Sequence, residues 1–165
     1  MGDDIPPKKS GPQRLQAALD AFGLDLEVAE FPASTRTAKD AAAAIGCTPA
    51  QIAKSIILRA EGDDRPVLVV ASGVNRVDEK KVAGLIGQSI GRADADFVRA
   101  RTGFAIGGVP PAGHREAPIA LLDRDLLAHA EIWAAAGAPN AVFRLTPTQL
   151  ARITGAPFED VRRDG

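Results

Sequence analysis

Residues 54–71 read KSIILRAEGDDRPVLVVA. Lys54–Ala60 is a strand-like run, and Glu61-Gly-Asp-Asp-Arg-Pro66 gathers the residues that turn a hairpin. Val67–Ala71 is apolar at every position, the pattern of a central strand buried on both faces. An antiparallel hairpin that ends in a buried strand argues for a mixed sheet and against a doubly wound parallel one.

Working outward toward the N-terminus, Thr48-Pro49-Ala-Gln51 has the residue order of a capped short helix. Thr37 caps a predicted helix over Ala38–Ile45 that Gly46 ends, and Leu26–Phe31 reads as a strand closed by Pro32. Ser10-Gly-Pro12 opens a helix carrying Leu15, Leu19 and Phe22 at helical spacing, with Gly23 at its end. Residues 1–9 read as a flexible tail. Toward the C-terminus, Asp78 caps a helix to about Ile86, and another covers Ala95–Arg101. Strands are expected at Pro118–Leu122, at Glu131–Ala135 with Gly137 after it, and at Ala141–Leu145. Thr146 then opens a helix over Pro147–Thr154. Strands and helices interleave without a linker, which predicts one α/β domain over residues 10–165.

Composition narrows the chemistry. Lys and Arg number 20 against 21 Asp and Glu, so the chain lacks the basic excess of a dedicated duplex-DNA binder. Short basic clusters at Lys8/Lys9, at Arg92/Arg99/Arg101 and at Arg162/Arg163 could each touch a few phosphates or simply face solvent. There is no tyrosine and one cysteine, Cys47, so tyrosine chemistry and an internal disulfide are excluded. No secretory signal or membrane span is legible, which makes the cytoplasm the expected compartment and predicts no membrane partner. Two histidines and one cysteine far apart make a zinc site improbable, and no metal or cofactor is expected.

Three features could carry chemistry. Lys54 shares a strand face with Ile56 and Leu58, so its ammonium either looks into a pocket or snorkels out from the strand end. Gly107-Gly108, followed by Pro110-Pro111, forms a bare, stiffened segment. Such a segment can cradle a carbonyl or phosphate oxygen, or it can be a glycine bulge ending a strand. His114 just beyond it is either a polar contact and proton carrier or an exposed turn residue. His129 reads as a helix-end residue and Cys47 as an incidental thiol. No nucleotide-binding glycine loop and no nucleophile elbow is present.

Taken in order, several short motifs resemble the YbaK/EbsC family of aminoacyl-tRNA deacylases. They are Thr37-Ala38, Gln51-Ile-Ala-Lys54-Ser-Ile-Ile, Arg76-Val-Asp78-Glu-Lys-Lys81, Thr102-Gly103 with Gly107-Gly108-Val-Pro-Pro111, Leu122-Asp123 and Ala135-Ala-Gly137. That family is related to the editing domain inserted in bacterial prolyl-tRNA synthetases. The resemblance implies a single domain with a mixed, largely antiparallel curved sheet flanked by several helices. It implies a trans-editing hydrolase that removes a small wrong amino acid (Ala, Ser, Thr or Cys) from mischarged tRNA, above all tRNA-Pro. It makes Lys54 the catalytic residue and places Gly107, Gly108, His114, Ser55 and Gly137 at the substrate. The ribose hydroxyl of the tRNA end or the substrate's own side chain would assist. A mischarged tRNA is the implied partner, with prolyl-tRNA synthetase as a candidate second one. Pro110 stands where many members carry a small polar residue, and only some members have a counterpart of His114. Two other readings compete: a non-catalytic module that binds an aminoacyl or nucleotide end, and a weak nucleic-acid-binding regulator.

Overall fold

The computed structural model describes residues 10–31 and 37–164. The predicted tail, Lys8/Lys9 and Pro32 lie outside the described residues. Helix α1 (Gly11–Ala21) starts on Ser10, whose hydroxyl accepts from Gln13 N–H while the Gln13 side chain accepts from Ser10 N–H. Strand β1 (Val28–Glu30) and helix α2 (Ala38–Ile45) follow. A 3-10 turn at Pro49–Gln51 leads into β2 (Ile52–Ala60), which the hairpin joins to β3 (Pro66–Ser72). Helix α3 (Glu79–Ile86), β4 (Ile90–Arg92) and α4 (Ala95–Thr102) come next, then the loop that carries the glycine pair. The chain finishes with β5 (Ile119–Asp123), a 3-10 turn at Arg124–Ala128, β6 (Ile132–Ala135), β7 (Ala141–Leu145), α5 (Pro147–Thr154) and β8 (Phe158–Glu159).

One mixed sheet contains all of these strands, in the order β1-β7-β6-β2-β3-β5-β8, with β4 also on β2. Strand β3 is buried at every residue, as its apolar run requires. Alternation sends Leu68 and Val70 to one face, where Leu15 and Leu19 of α1 and Leu150 of α5 cover them. Val67 and Val69 go to the other face and meet Val82 of α3. Helix α2 packs on Ile52 and Trp133, and Val98 of α4 packs with Phe104, Val109 and Ile57. Among the described residues, no helix is long and apolar enough to cross a membrane.

The expected hairpin is present, with Lys54 opposite Ala71 and Arg59 opposite Pro66. Several strand bounds differ from those expected: β2 begins two residues before Lys54, β1 is shorter than Leu26–Phe31, β3 extends to Pro66 and Ser72, β5 is Ile119–Asp123, and β6 begins at Ile132. Two short strands, β4 and β8, have no sequence signature. Segments of three and two residues show no periodicity, and only their neighbours β2 and β5 make them strands.

Candidate active site

Strand β2 is the spine of the site because three strands share it. β3 runs along one edge, while the other edge pairs with β6 at Ile52 and Ala53 and with β4 at Leu58–Ala60. Among the described residues, Lys54–Ile57 therefore face no strand on that side, and a cleft of about 590 Å³ opens there. Lys54, Ser55 and Gly107 all line it. Among the described residues, Lys54 and Lys39 are the charged members of this lining, with no carboxylate, histidine or cysteine in it. Much of the wall is small and apolar: Ala53, Ala134, Ala135, Ala138 and Ala141.

The ladder decides what Ser55 presents. Ala60 N–H donates to Arg65 C=O at 2.9 Å, and Gly73 N–H donates to Ile52 C=O at 2.8 Å. With the register unbroken between these points, the even-numbered residues of β2 spend their backbone groups on β3 and the odd-numbered ones turn the other way. The turned-out groups of Ala53 meet β6 and those of Arg59 meet β4. Those of Ser55 fall between, and its Oγ is buried without a hydrogen-bond partner among the described residues.

Lys54 stands on the opposite side of the strand from the Ser55 side chain. Burial pushes its ammonium below the usual lysine range, the like charge of Arg76 pushes in the same direction, and Asp123 opposes both. Asp123 is itself buried, and its carboxylate accepts from Ser72 N–H at 3.0 Å and from Asn75 Nδ2 at 2.8 Å. The sequence reading quoted Asp123 only as part of a motif. Its influence on Lys54 depends on β3 lying between β2 and β5, a neighbourhood no local pattern reveals.

The glycine loop divides in two. Gly107 has a φ of +96° and open space where a side chain would begin, so its conformation requires glycine. Gly108 requires glycine for lack of room, since a Cβ there would lie 2.7 Å from the Ala138 backbone. Its N–H donates to Ala105 C=O at 3.3 Å and its C=O accepts from Gly137 N–H at 2.9 Å, so both groups are engaged within the protein. Gly108, Gly137 and His114 are not part of the cleft lining. Gly137 sits against Gly11 at the start of α1. His114 places Nε2 2.6 Å from Pro110 C=O, a contact in which Nε2–H donates to the carbonyl. Its Nδ1 is buried without a partner among the described residues. Burial, helped by Arg14, holds its pKa below the ordinary value against the pull of the Pro110 bond. These three residues form a layer behind the loop, with the imidazole gripping the proline segment. Cys47 is half-buried with its thiol pKa raised by burial, the opposite of an activated nucleophile. His129 ends the 3-10 turn after β5.

The family model described as "Aminoacyl-tRNA editing domain" matches residues 32–153. The chain belongs to the aminoacyl-tRNA editing domain family. Membership makes it an aminoacyl-tRNA deacylase, an ester hydrolase acting on mischarged tRNA. It is 35% identical over 128 residues to the Bacillus subtilis (strain 168) protein YwhH, a match spanning 78% of this chain and 81% of that one. A solved structure described as a "putative trans-editing enzyme for prolyl tRNA synthetase" is 45% identical, with a TM-score of 0.89 over 95% of this chain and 99% of the other. A chain solved in work on epitope backbone grafting onto scaffold proteins is 42% identical, also with a TM-score of 0.89, over 96% of this chain and all of that one. The mixed α/β sheet with its flanking helices is thus the editing-domain fold.

Proposed function

We propose that the protein edits tRNA in trans, cleaving a small wrong amino acid (Ala, Ser, Thr or Cys) from tRNA-Pro in the cytoplasm, with Lys54 as its catalytic residue. The observation that carries this reading is the cleft itself. Among the described residues, a lysine and a positive-φ glycine share one opening whose charged lining is cationic and whose walls are apolar and include seven alanines. Cations suit the phosphates of a tRNA end, and alanine walls suit a short side chain. The 45% identical structure described as a prolyl-tRNA synthetase trans-editing enzyme supports tRNA-Pro, and prolyl-tRNA synthetase as a working partner.

In this reading water adds to the ester carbonyl carbon and the carbonyl electrons move onto oxygen. The Lys54 ammonium and the Gly107 N–H offset that charge. The carbon–ribose oxygen bond then breaks, the ribose oxygen takes a proton, and the amino acid leaves. Among the described residues no histidine, cysteine or carboxylate lines the cleft, and in this reading the neighbouring ribose hydroxyl takes the proton of the attacking water and passes it to the leaving ribose oxygen. Gly108, Gly137 and His114 hold the loop in place, and Ser55 contacts the aminoacyl group.

A deacylation panel of Ala-, Ser-, Thr-, Cys- and Pro-tRNA-Pro tests the reading. Turnover of one or more small esters with Pro-tRNA-Pro spared is expected. Lys54→Ala should lose on the order of a hundredfold or more in rate, the scale of one transition-state electrostatic contact, with its melting temperature nearly unchanged. Normal turnover by Lys54→Ala would remove Lys54 from the mechanism, and binding of these esters without hydrolysis would make the protein a recognition module.

A further inference from the structure

Among the described residues, Ser55 holds three polar groups without a partner: the backbone N–H and C=O at the open edge of β2, and a buried Oγ. Folded chains pair nearly all buried polar groups, so a buried Oγ without a partner, on a residue whose strand edge opens into a cleft, points to something that occupies that edge. The order of these groups defines the occupant. A strand residue with a free edge presents one donor and one acceptor on the same side, and its complement carries an acceptor and a donor in the same arrangement. An aminoacyl ester is such a complement, with a carbonyl oxygen that accepts and, one carbon away, an α-ammonium that donates. Resting on the reading of the cleft as the editing site, we propose that the aminoacyl group docks on Ser55 as a one-residue strand. The Ser55 N–H donates to the ester carbonyl, and the Ser55 C=O accepts from the substrate's α-ammonium. It is strand addition at its smallest scale.

Two consequences follow. Recognition at Ser55 reads the amino-acid backbone, which leaves the choice of side chain to the alanine walls. The N–H that binds the ester carbonyl also remains beside its oxygen as charge develops there, on the strand that carries Lys54.

The test compares alanyl-tRNA with propionyl-tRNA, which has the same shape but no α-amino group. Each is scored as the enzymatic rate over that ester's own spontaneous hydrolysis, which removes the intrinsic activation by the ammonium. Propionyl-tRNA should lose about 10- to 100-fold of the acceleration, as expected for a hydrogen bond to a charged group. Ser55→Ala keeps both backbone groups and should keep this discrimination. Separately, ¹⁵N-labelled protein is titrated with the amide analogue 3′-alanylamino-3′-deoxyadenosine. The Ser55 amide resonance should shift and its hydrogen exchange should slow, while the amide of Val69, which faces Ile56 within the β2–β3 ladder, stays put. Equal acceleration of the two esters, or an unmoved Ser55 amide, overturns the proposal. If alanyl-tRNA is hydrolysed but without discrimination, editing stands and edge docking fails. If no ester is hydrolysed yet the analogue moves the Ser55 amide, edge docking stands and the editing reading fails.

Discussion

At the scale of single residues, the protein's chemistry depends on how much the fold depresses Lys54. Burial and Arg76 both disfavour its ammonium, so Lys54 gives up its proton at lower pH than a free lysine, whose ordinary value is 10.5. If the ammonium is the working form, deacylation corrected for spontaneous hydrolysis falls as pH rises through that lowered value. Arg76→Gln removes a like charge, so the Lys54 pKa should return toward 10.5 and the alkaline limb should move to higher pH. A limb that moves to lower pH, or stays fixed, would separate Lys54 from the titration. His114 has a different pH signature. Its folded pKa lies below the ordinary 6.5, so the unfolded chain takes up the proton first as pH falls. Stability from this residue is full above about pH 6.5 and declines as pH drops from there toward the depressed native value. The melting-temperature advantage of wild type over His114→Gln should therefore narrow between pH 7.5 and pH 5. An advantage that widens instead would mean that the imidazole is charged in the native state.

At the scale of elements, the loop between α4 and β5 is held at two kinds of position. Gly107 is free in space but bound in conformation, whereas Gly108 is bound in space by the turn after β6. A methyl group at Gly107 costs about 1–2 kcal/mol of left-handed backbone strain, with its effect confined to the loop. At Gly108 the methyl meets the Ala138 backbone, and overpacking of that kind costs about 1–3 kcal/mol. It also displaces a wall of the cleft, because Ala138 lines it. Thermal melts on the two alanine variants should rank Gly108→Ala as the more damaging for stability. Equal melting temperatures would show that the 137–139 turn yields without cost.

At the scale of the whole molecule, positive and negative side chains are nearly equal in number, and some of them pair on the surface. Arg101 joins Asp64 and Glu116, Arg162 joins Asp125, and Lys81 joins Asp160 and Asp164. Lys and Arg number 20 against 21 Asp and Glu, so the chain has no basic excess and the tRNA contact is expected to be local. A titration of tRNA affinity against salt should give a log–log slope of magnitude below about 3, since each single-strand phosphate contact contributes about 0.7. A slope near that of a protein with 6–10 phosphate contacts would require a long basic track over the surface and would favour the nucleic-acid-regulator reading. The sheet explains how a balanced chain can still hold a cationic site. The interruption beside β2 gathers Lys39 and Lys54 at one opening, and among the described residues no carboxylate lines it.

Much of this was legible in the chain. The hairpin of residues 54–71, the bounds of α2 at Ala38–Ile45 and of α5 at Pro147–Thr154, and the capping of α3 by Asp78 follow from alternation and cap chemistry. These are local properties, set within a few residues. The family, too, was carried by short motifs in order. The place where β6 leaves β2 and β4 joins it was not legible, because it depends on which distant strands pair and where each ladder stops. That stopping point makes the cleft, frees the edge of Ser55 and sends Gly107 into the opening while Gly108, Gly137 and His114 stay behind it. A glycine pair reads the same whether it faces a ligand or a neighbouring turn, and only the packing of Ala138 against Gly108 separates the two. Residue chemistry along the chain thus determined which groups were available, and tertiary pairing decided which of them meet.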